Sequence, residues 1–231
     1  MRRVVVTGIG MVNALGLNKD VAFDNIVKGN CGIRRIESFD ITDFPVQIAG
    51  EVVGFDPESV LDAREVKKAH RFIQLGLLSA REALQDSITR GKQSFANANL
   101  EVLPDVADRF GISSASGIGG LENIQNNAIA WHTKGVRRIS PFFIPSALVN
   151  ISSVTACAAG THGIIEAAKT IMLGCADRML VVGAESSICE IGIGGFAAMK
   201  ALSVCNDTPS KASRPFDKKR DGFVMGEGAG A

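Results

Sequence analysis

One cysteine sits where the start of a helix could make its thiol reactive. Residues 151–175, read Ile-Ser-Ser-Val-Thr-Ala-Cys157-Ala-Ala-Gly160-Thr-His162-Gly and onward, imply a short buried strand, a tight elbow at Cys157 and an apolar helix. A thiol at the first turn of such a helix faces backbone N–H groups that lack intrahelical partners. It also faces the positive end of the helix dipole, which favours an anion by roughly 0.3–2 kcal/mol. That chemistry suits a thiolate nucleophile. The competing reading is a packed structural cysteine, since unpaired Cys is among the most buried residue types. His162 lies five residues further along the helix, about 140° round the axis from Cys157, which is a poor position for a base acting on that sulfur.

Other chemistries find little support. Five cysteines (31, 157, 175, 189 and 205) form no CxxC pair and accompany three histidines, so no metal site is expected. His70 and His132 belong to no recognised catalytic motif, and there is no GxSxG elbow or phosphate-binding loop. Gly8-Ile-Gly10-Met-Val-Asn13 imitates a dinucleotide fingerprint but puts Asn13 where the third glycine is required.

The elements that must position the cysteine read as alternating strands and helices. Residues 3–7 predict a central β-branched strand, and residues 18–28 a helix capped by Asn18 and stopped by Gly29. Residues 29–57 predict a loop or short strands. A long helix is predicted over 66–87, with Val66, Ala69, Ile73, Leu77, Ala80 and Leu84 as its buried stripe and Lys67, Lys68 and Arg71 on the opposite face. A polar loop over 88–104 leads to a strand at 109–115, a glycine turn at 117–120 and a helix over 121–132 closed by Gly135, with Trp131 and His132 at the surface. Ser146 is expected to cap a further helix. After the elbow, Ile164, Ala168, Ile171 and Cys175 share one oily face, so the helix is expected to lie inside. A strand at 177–185 then completes a βαβ unit with a parallel, right-handed crossover. A short helical segment lies within 191–203, and residues 214–231 turn from charged to glycine-rich.

A chain of 231 residues with 46% hydrophobic residues buries a real core, as one large domain or two small ones. A net charge of +1 supplies no global field for nucleic acid. Scattered, odd-numbered cysteines suit a reducing compartment, no apolar run reaches membrane-spanning length, and the N-terminus lacks a convincing signal peptide, so a cytoplasmic protein is expected.

Ser153-Val-Thr-Ala-Cys157-Ala-Ala-Gly-Thr-His resembles the nucleophile elbow of β-ketoacyl-acyl-carrier-protein synthases of the elongating, synthase II-like type, within the thiolase-like superfamily. Five more blocks match in order. They are Arg3-Val-Val-Val-Thr-Gly-Ile-Gly10-Met-Val, Ser116-Gly-Ile-Gly-Gly120, Ser140-Pro-Phe-Phe-Ile-Pro145, Gly192-Ile-Gly-Gly-Phe196 and the run from Ser213 to Gly230. The resemblance implies an α/β fold: the N-terminal half of thiolase-like α-β-α layers with a mixed, mostly parallel sheet, as one domain over 1–231. It implies an acyltransferase of fatty-acid biosynthesis that loads an acyl chain on Cys157 and condenses it with malonyl-carrier protein as CO2 leaves. It further implies no cofactor, a homodimer, and an acidic acyl carrier protein as partner.

By the same resemblance, Ile118 and Phe196 line the acyl pocket near the thiol, and Phe142 or Phe143 reaches in from a twofold-related subunit. Lys67, Lys68 and Lys200, with Arg137 and Arg138 of the partner subunit, dock the carrier protein; a plain solvated helix face is the alternative for Lys67, Lys68 and Arg71. His162 is structural. The family's second oxyanion donor, two catalytic histidines and supporting lysine come from a C-terminal half not present here, so this polypeptide alone is not expected to complete condensation. Relatives also continue beyond Asn150 before the cysteine strand, which marks an apparent gap between Asn150 and Ile151. The alternatives are a polyketide-type ketosynthase or other thiolase-like acyltransferase, and a non-catalytic fragment that only binds or dimerises.

Overall fold

The computed structural model describes residues 2–89, 107–144, 152–153 and 155–231. In chain order its elements are β1 (Met11–Asn13), α1 (Lys19–Val27), β2 (Arg34–Arg35), β3 (Ile48–Ala49), α2 (Ala63–Val66), α3 (Arg71–Thr89), β4 (Phe110–Ala115), α4 (Leu121–Lys134), β5 (Ser152–Ser153), α5 (Ala159–Met172), β6 (Arg178–Glu185), α6 (Glu190–Ala198) and β7 (Gly228–Gly230). Short 3-10 turns join them at Pro57–Ser59, Val136–Arg138, Ala156–Ala158 and Pro209–Lys211.

Five strands form a mixed sheet in the order β1-β7-β6-β4-β5. β5 and β6 both run parallel to β4, which lies between them, whereas β7 is antiparallel to β6 and to β1. The expected strand–helix–strand unit therefore exists, with its crossover stepping over β4. Successive strand residues face opposite sides, and the contacts of β6 use that alternation. A Cβ built on Gly163 of α5 would meet Val181, and one on Gly76 of α3 would meet Val182 and Ala184. Helix α5 thus covers one face and α3 the other, giving α-β-α layers. α5 approaches very closely: a Cβ on Gly183 would stand 3.4 Å from the Cα of Gly160, and one on Gly163 3.3 Å from both Ser113 Oγ and Val181 Cγ1.

Capping explains several element ends. Asn18 accepts a hydrogen bond from Val21 N at the start of α1, and Gly29 at φ 70° ends that helix region, as expected. Asp62 and Glu65 form a reciprocal capping box on α2. Gly135, at φ 84°, closes α4, and Trp131 and His132 are exposed.

Five expectations are corrected. Residues 3–7 form no strand, and Val5 and Val6 are exposed; the sheet begins at β1, because that is where a pairing partner, β7, exists. The preceding segment runs over α3 instead, held by hydrogen bonds from Ile9 N to Asp86 and from Met11 N to Glu82. The helix predicted over 66–87 is broken, with α2 ending at Val66 and α3 starting at Arg71, so Lys67 and Lys68 sit in the break. The buried residues of α3 are Phe72, Gln74, Leu75, Gly76, Ser79, Ala80, Ala83 and Ser87, while Leu77 is exposed. The stripe is rotated because small residues admit close neighbours: a Cβ on Gly10 would fall 1.9 Å from Ser79 O.

Arg71 is likewise no solvated cation, since its guanidinium donates two hydrogen bonds to the buried carboxylate of Glu227. On α5, Ala159, Gly163 and Ala167 are the buried residues, whereas Ile164 is 59% exposed and Cys175 is exposed. Small side chains, which contribute little to an oily stripe, are what let this helix lie close to the sheet.

The segment 29–57 carries β2 and β3 and much of the core, since Ile36, Ile41, Val46 and Ala49 pack with Ile188, Ile193 and Leu202. The predicted helix after Ser146, most of the loop over 88–104 and the Asn150–Ile151 junction lie outside the described residues.

Candidate active site

Three connections converge at the C-terminal ends of the parallel strands, the edge where open α/β sheets place their ligand sites. They are the elbow after β5, the 116–120 turn after β4 and the 186–189 loop after β6. At the elbow, Ala156 has φ 50°, the left-handed region that a side-chain-bearing residue rarely enters. That reversal, followed by the 3-10 turn Ala156–Ala158 running into α5, presents Cys157 to solvent. Cys157 is therefore not the packed structural cysteine of the competing reading. The buried thiol is Cys189, ahead of α6, and burial pushes its pKa up.

The turn after β4 lies against the elbow. A Cβ on Gly117 would stand 3.7 Å from the carbonyl oxygen of Ala156. Ile118, next in the turn, is 47% exposed, so an apolar side chain is on offer beside the Cys157 elbow. His162 Nδ1 lies 3.5 Å from Thr155 Oγ1 and its Nε2 3.8 Å from Glu166 Oε1, so its ring bridges the elbow and its own helix. Phe196 packs on the core cluster and meets Phe223 edge-on at 5.5 Å between centroids. Phe142 lies beneath the Lys68 ammonium, 5.5 Å from the ring centroid. Phe143 lines an apolar groove with Ile124, Asn127, Ala128, Trp131 and Ile139.

Lys67, Lys68, Arg137, Arg138 and Lys200 are all exposed, and Lys200 has a left-handed backbone, φ 55°. The contact between Lys68 and Phe142 ties the α2–α3 break to the segment that follows Arg137 and Arg138. His70, in the same break, places Nε2 3.3 Å from Glu122 Oε2 in the first turn of α4, and its Nδ1 is buried with no hydrogen-bond partner among the described residues. That hydrogen bond is the main reason the Glu122 carboxyl sits below the usual carboxylate range; burial opposes it. Among the described residues no cluster of three potential metal ligands occurs, and no helix is long and apolar enough to cross a membrane.

Two carboxylates that sequence reasoning passed over organise this end of the sheet. Glu227 is buried and accepts hydrogen bonds from Val52 N (2.8 Å), Ser186 Oγ (2.6 Å), Arg71 Nε (2.8 Å) and Arg71 Nη2 (2.7 Å). This pairing holds the Arg71 guanidinium above its ordinary value, chiefly through the hydrogen bonds. Glu185, the last residue of β6, accepts from Ile118 N, Gly119 N, Ser186 N and Ser187 Oγ. A signal for each was present. Glu185 ends an apolar strand and Glu227 stands between two glycines, both places where a charged residue has no helical face to solvate.

The model of the β-ketoacyl synthase N-terminal domain matches residues 1–231. The chain is 44% identical over 244 residues to 3-oxoacyl-[acyl-carrier-protein] synthase 2 of Coxiella burnetii, covering 99% of this chain and 56% of that protein. It is 43% identical over 245 residues to the synthase 2 of Vibrio cholerae, with the same coverage. A β-ketoacyl synthase structure from Burkholderia phymatum superposes with a TM-score of 0.82 at 25% identity, over 100% of this chain and 58% of that one. A type II polyketide ketosynthase solved in complex with its acyl-carrier protein superposes with a TM-score of 0.72 at 26% identity, over 99% of this chain and 57% of that one. The chain thus spans a little over half the length of these relatives. A match along its whole length, together with an exposed cysteine on a strained elbow at the carboxyl edge of the sheet, leads to one conclusion: the chain belongs to the β-ketoacyl synthase family and carries its N-terminal domain.

Proposed function

We propose that this chain supplies the acyl-accepting half of a 3-oxoacyl-acyl-carrier-protein synthase of fatty-acid elongation. In this reading the Cys157 thiolate attacks the carbonyl of an acyl thioester, the carrier thiol leaves, and the acyl chain stays on sulfur until malonyl-carrier protein is decarboxylated and takes it up. The observation that carries the reading is the exposed Cys157 behind the left-handed Ala156, with the Gly117–Ile118 turn packed against it. Ile118 and Phe196 are proposed to line the acyl pocket, with Phe142 or Phe143 contributed across a homodimer. Free cysteines throughout the chain suit the cytoplasm.

The test is competitive alkylation with iodoacetamide followed by peptide mapping. Cys157 is expected to label fastest of the five thiols, and Cys189 slowest because it is buried and its thiol is pushed up. Faster labelling of Cys31 or Cys205 in folded protein would remove the support for an activated elbow. A polyketide-type ketosynthase is the second reading, favoured by the superposition on such an enzyme. The 38–44% identity to synthase 2 proteins weighs against it. Comparing fatty acyl with polyketide-like acyl donors separates the two.

The partner is proposed to be an acidic acyl carrier protein, met by Lys67, Lys68 and Lys200 and by Arg137 and Arg138 of the partner subunit. Exposed charges act over a screening length of about 8–10 Å at ordinary salt. The Lys67→Glu, Lys68→Glu double variant is therefore expected to weaken carrier binding about tenfold or more and to flatten its salt dependence, as measured by titration calorimetry at two ionic strengths. Unchanged affinity would leave these residues as ordinary solvated lysines.

A further inference from the structure

Glu185 holds two of the three connections that meet at the site. Its Oε2 accepts from Ile118 N at 2.6 Å and Gly119 N at 3.3 Å and lies 3.3 Å from Ser116 Oγ; its Oε1 accepts from Ser186 N at 3.1 Å and Ser187 Oγ at 2.7 Å. Successive backbone N–H groups converging on one carboxylate oxygen make charge-assisted bonds, and they fix the conformation of the turn that supplies them. The third connection is reached through Gly117. A Cβ there would be 2.9 Å from Glu185 Oε2 and 3.7 Å from Ala156 O, so the turn is in contact with both carboxylate and elbow and is tight against the carboxylate.

We infer that Glu185 is a positioning residue for acyl-chain selection: by clamping the 116–119 turn it sets where Ile118 stands relative to Cys157, and hence how a long alkyl chain reaches the sulfur. The inference rests on Cys157 being the acyl acceptor and adds the residue that shapes access to it. Glu185 touches neither thiol nor acyl chain in this scheme; it acts through the turn.

The full chain is treated with iodoacetamide and with its N-dodecyl analogue, and Cys157 labelling is followed by peptide mapping. In Glu185→Gln one acceptor oxygen becomes a donor NH2, so the side chain can no longer accept from the 116–119 turn with one atom and from Ser186 and Ser187 with the other. In Gly117→Ala the new methyl displaces the flexible end of Glu185 without changing its charge. Each variant is expected to reduce the long-to-short labelling ratio about fivefold while moving the short-reagent rate less than about twofold, and the double variant is expected to do no more than the larger single change.

Ratios unchanged in variants that keep the wild-type circular dichroism and unfolding midpoint would overturn the inference, and so would additive effects. Hydrogen exchange on the wild-type chain tests the clamp without any variant: the Ile118 and Gly119 amides are expected to be protected, and open-loop exchange rates there would also overturn it. If wild-type Cys157 labels no faster than the other thiols, the acyl-acceptor reading itself fails, an outcome visible before any variant is made.

Discussion

Cys157→Ala is expected to abolish transfer of an acyl group from an acyl thioester to the protein, a loss of at least about a thousandfold, because removing the nucleophile of a covalent mechanism leaves no other group in its place. The loss should be purely chemical. Cys157 is exposed, and substitutions of exposed residues away from caps and networks usually change stability by no more than about 0.5 kcal/mol. Intact mass spectrometry after incubation with an acyl thioester gives the readout, and a thermal melt confirms that the variant is folded. Acylation of another thiol in Cys157→Ala at the wild-type rate would move the acceptor elsewhere.

The largest stability effect is expected at Glu227. Its carboxylate neutralises Arg71 through two bonds and satisfies Val52 N and Ser186 Oγ, all at 2.6–2.8 Å. Glu227→Ala leaves a half-buried guanidinium and two polar donors without their acceptor. Breaking a buried pair from one side costs about 3–5 kcal/mol. Against a typical total of about 5–15 kcal/mol, that is a large share of the molecule's stability. Urea unfolding followed by circular dichroism measures it; a loss below about 1 kcal/mol would mean that water replaces the carboxylate at little cost. Arg71→Ala is expected to cost as much or more, because it leaves the negative charge of Glu227, which is almost wholly buried, without its partner.

The parts of the fold legible in the sequence are those whose residues carry their own signal. The strands at 110–115 and 178–185 are apolar runs bounded by turns, and Asn18, Gly29 and Gly135 mark helix ends by cap chemistry. The elbow was legible because apolar strand, cysteine and small residues follow in direct succession. Positions that depend on a neighbour were not. Val4 to Val6 have the composition of a central strand, yet pairing starts only at Met11, where β7 supplies a partner.

The faces of α3 and α5 were misread for one reason: Gly76, Ser79, Ala83, Gly163 and Ala167 are buried through smallness, and smallness does not register as hydrophobicity. The site divides the same way. Cys157 and the glycine turn could be read from residue type and order, whereas Glu185, Glu227 and Arg71 act through partners about 40 to 175 residues away in the chain, a distance no local pattern records.

The small residues that seat α5 on the sheet, Gly163 above all, have a consequence for how such a protein varies over generations. The height of α5 is set there by the helix backbone against the Ser113 and Val181 side chains, and that height carries Cys157 with it. What is inherited at these positions is a thickness, with no side chain to trade for another. Ile164, Ile165 and Leu173 on the outer side of the helix can drift in size and shape while the sulfur keeps its place. A single added methyl at Gly163 would meet Ser113 Oγ and Val181 Cγ1 at 3.3 Å, so either those side chains give way or the helix rises and takes the sulfur with it; a lineage remodels the outer surface of this helix more freely than it thickens its seat.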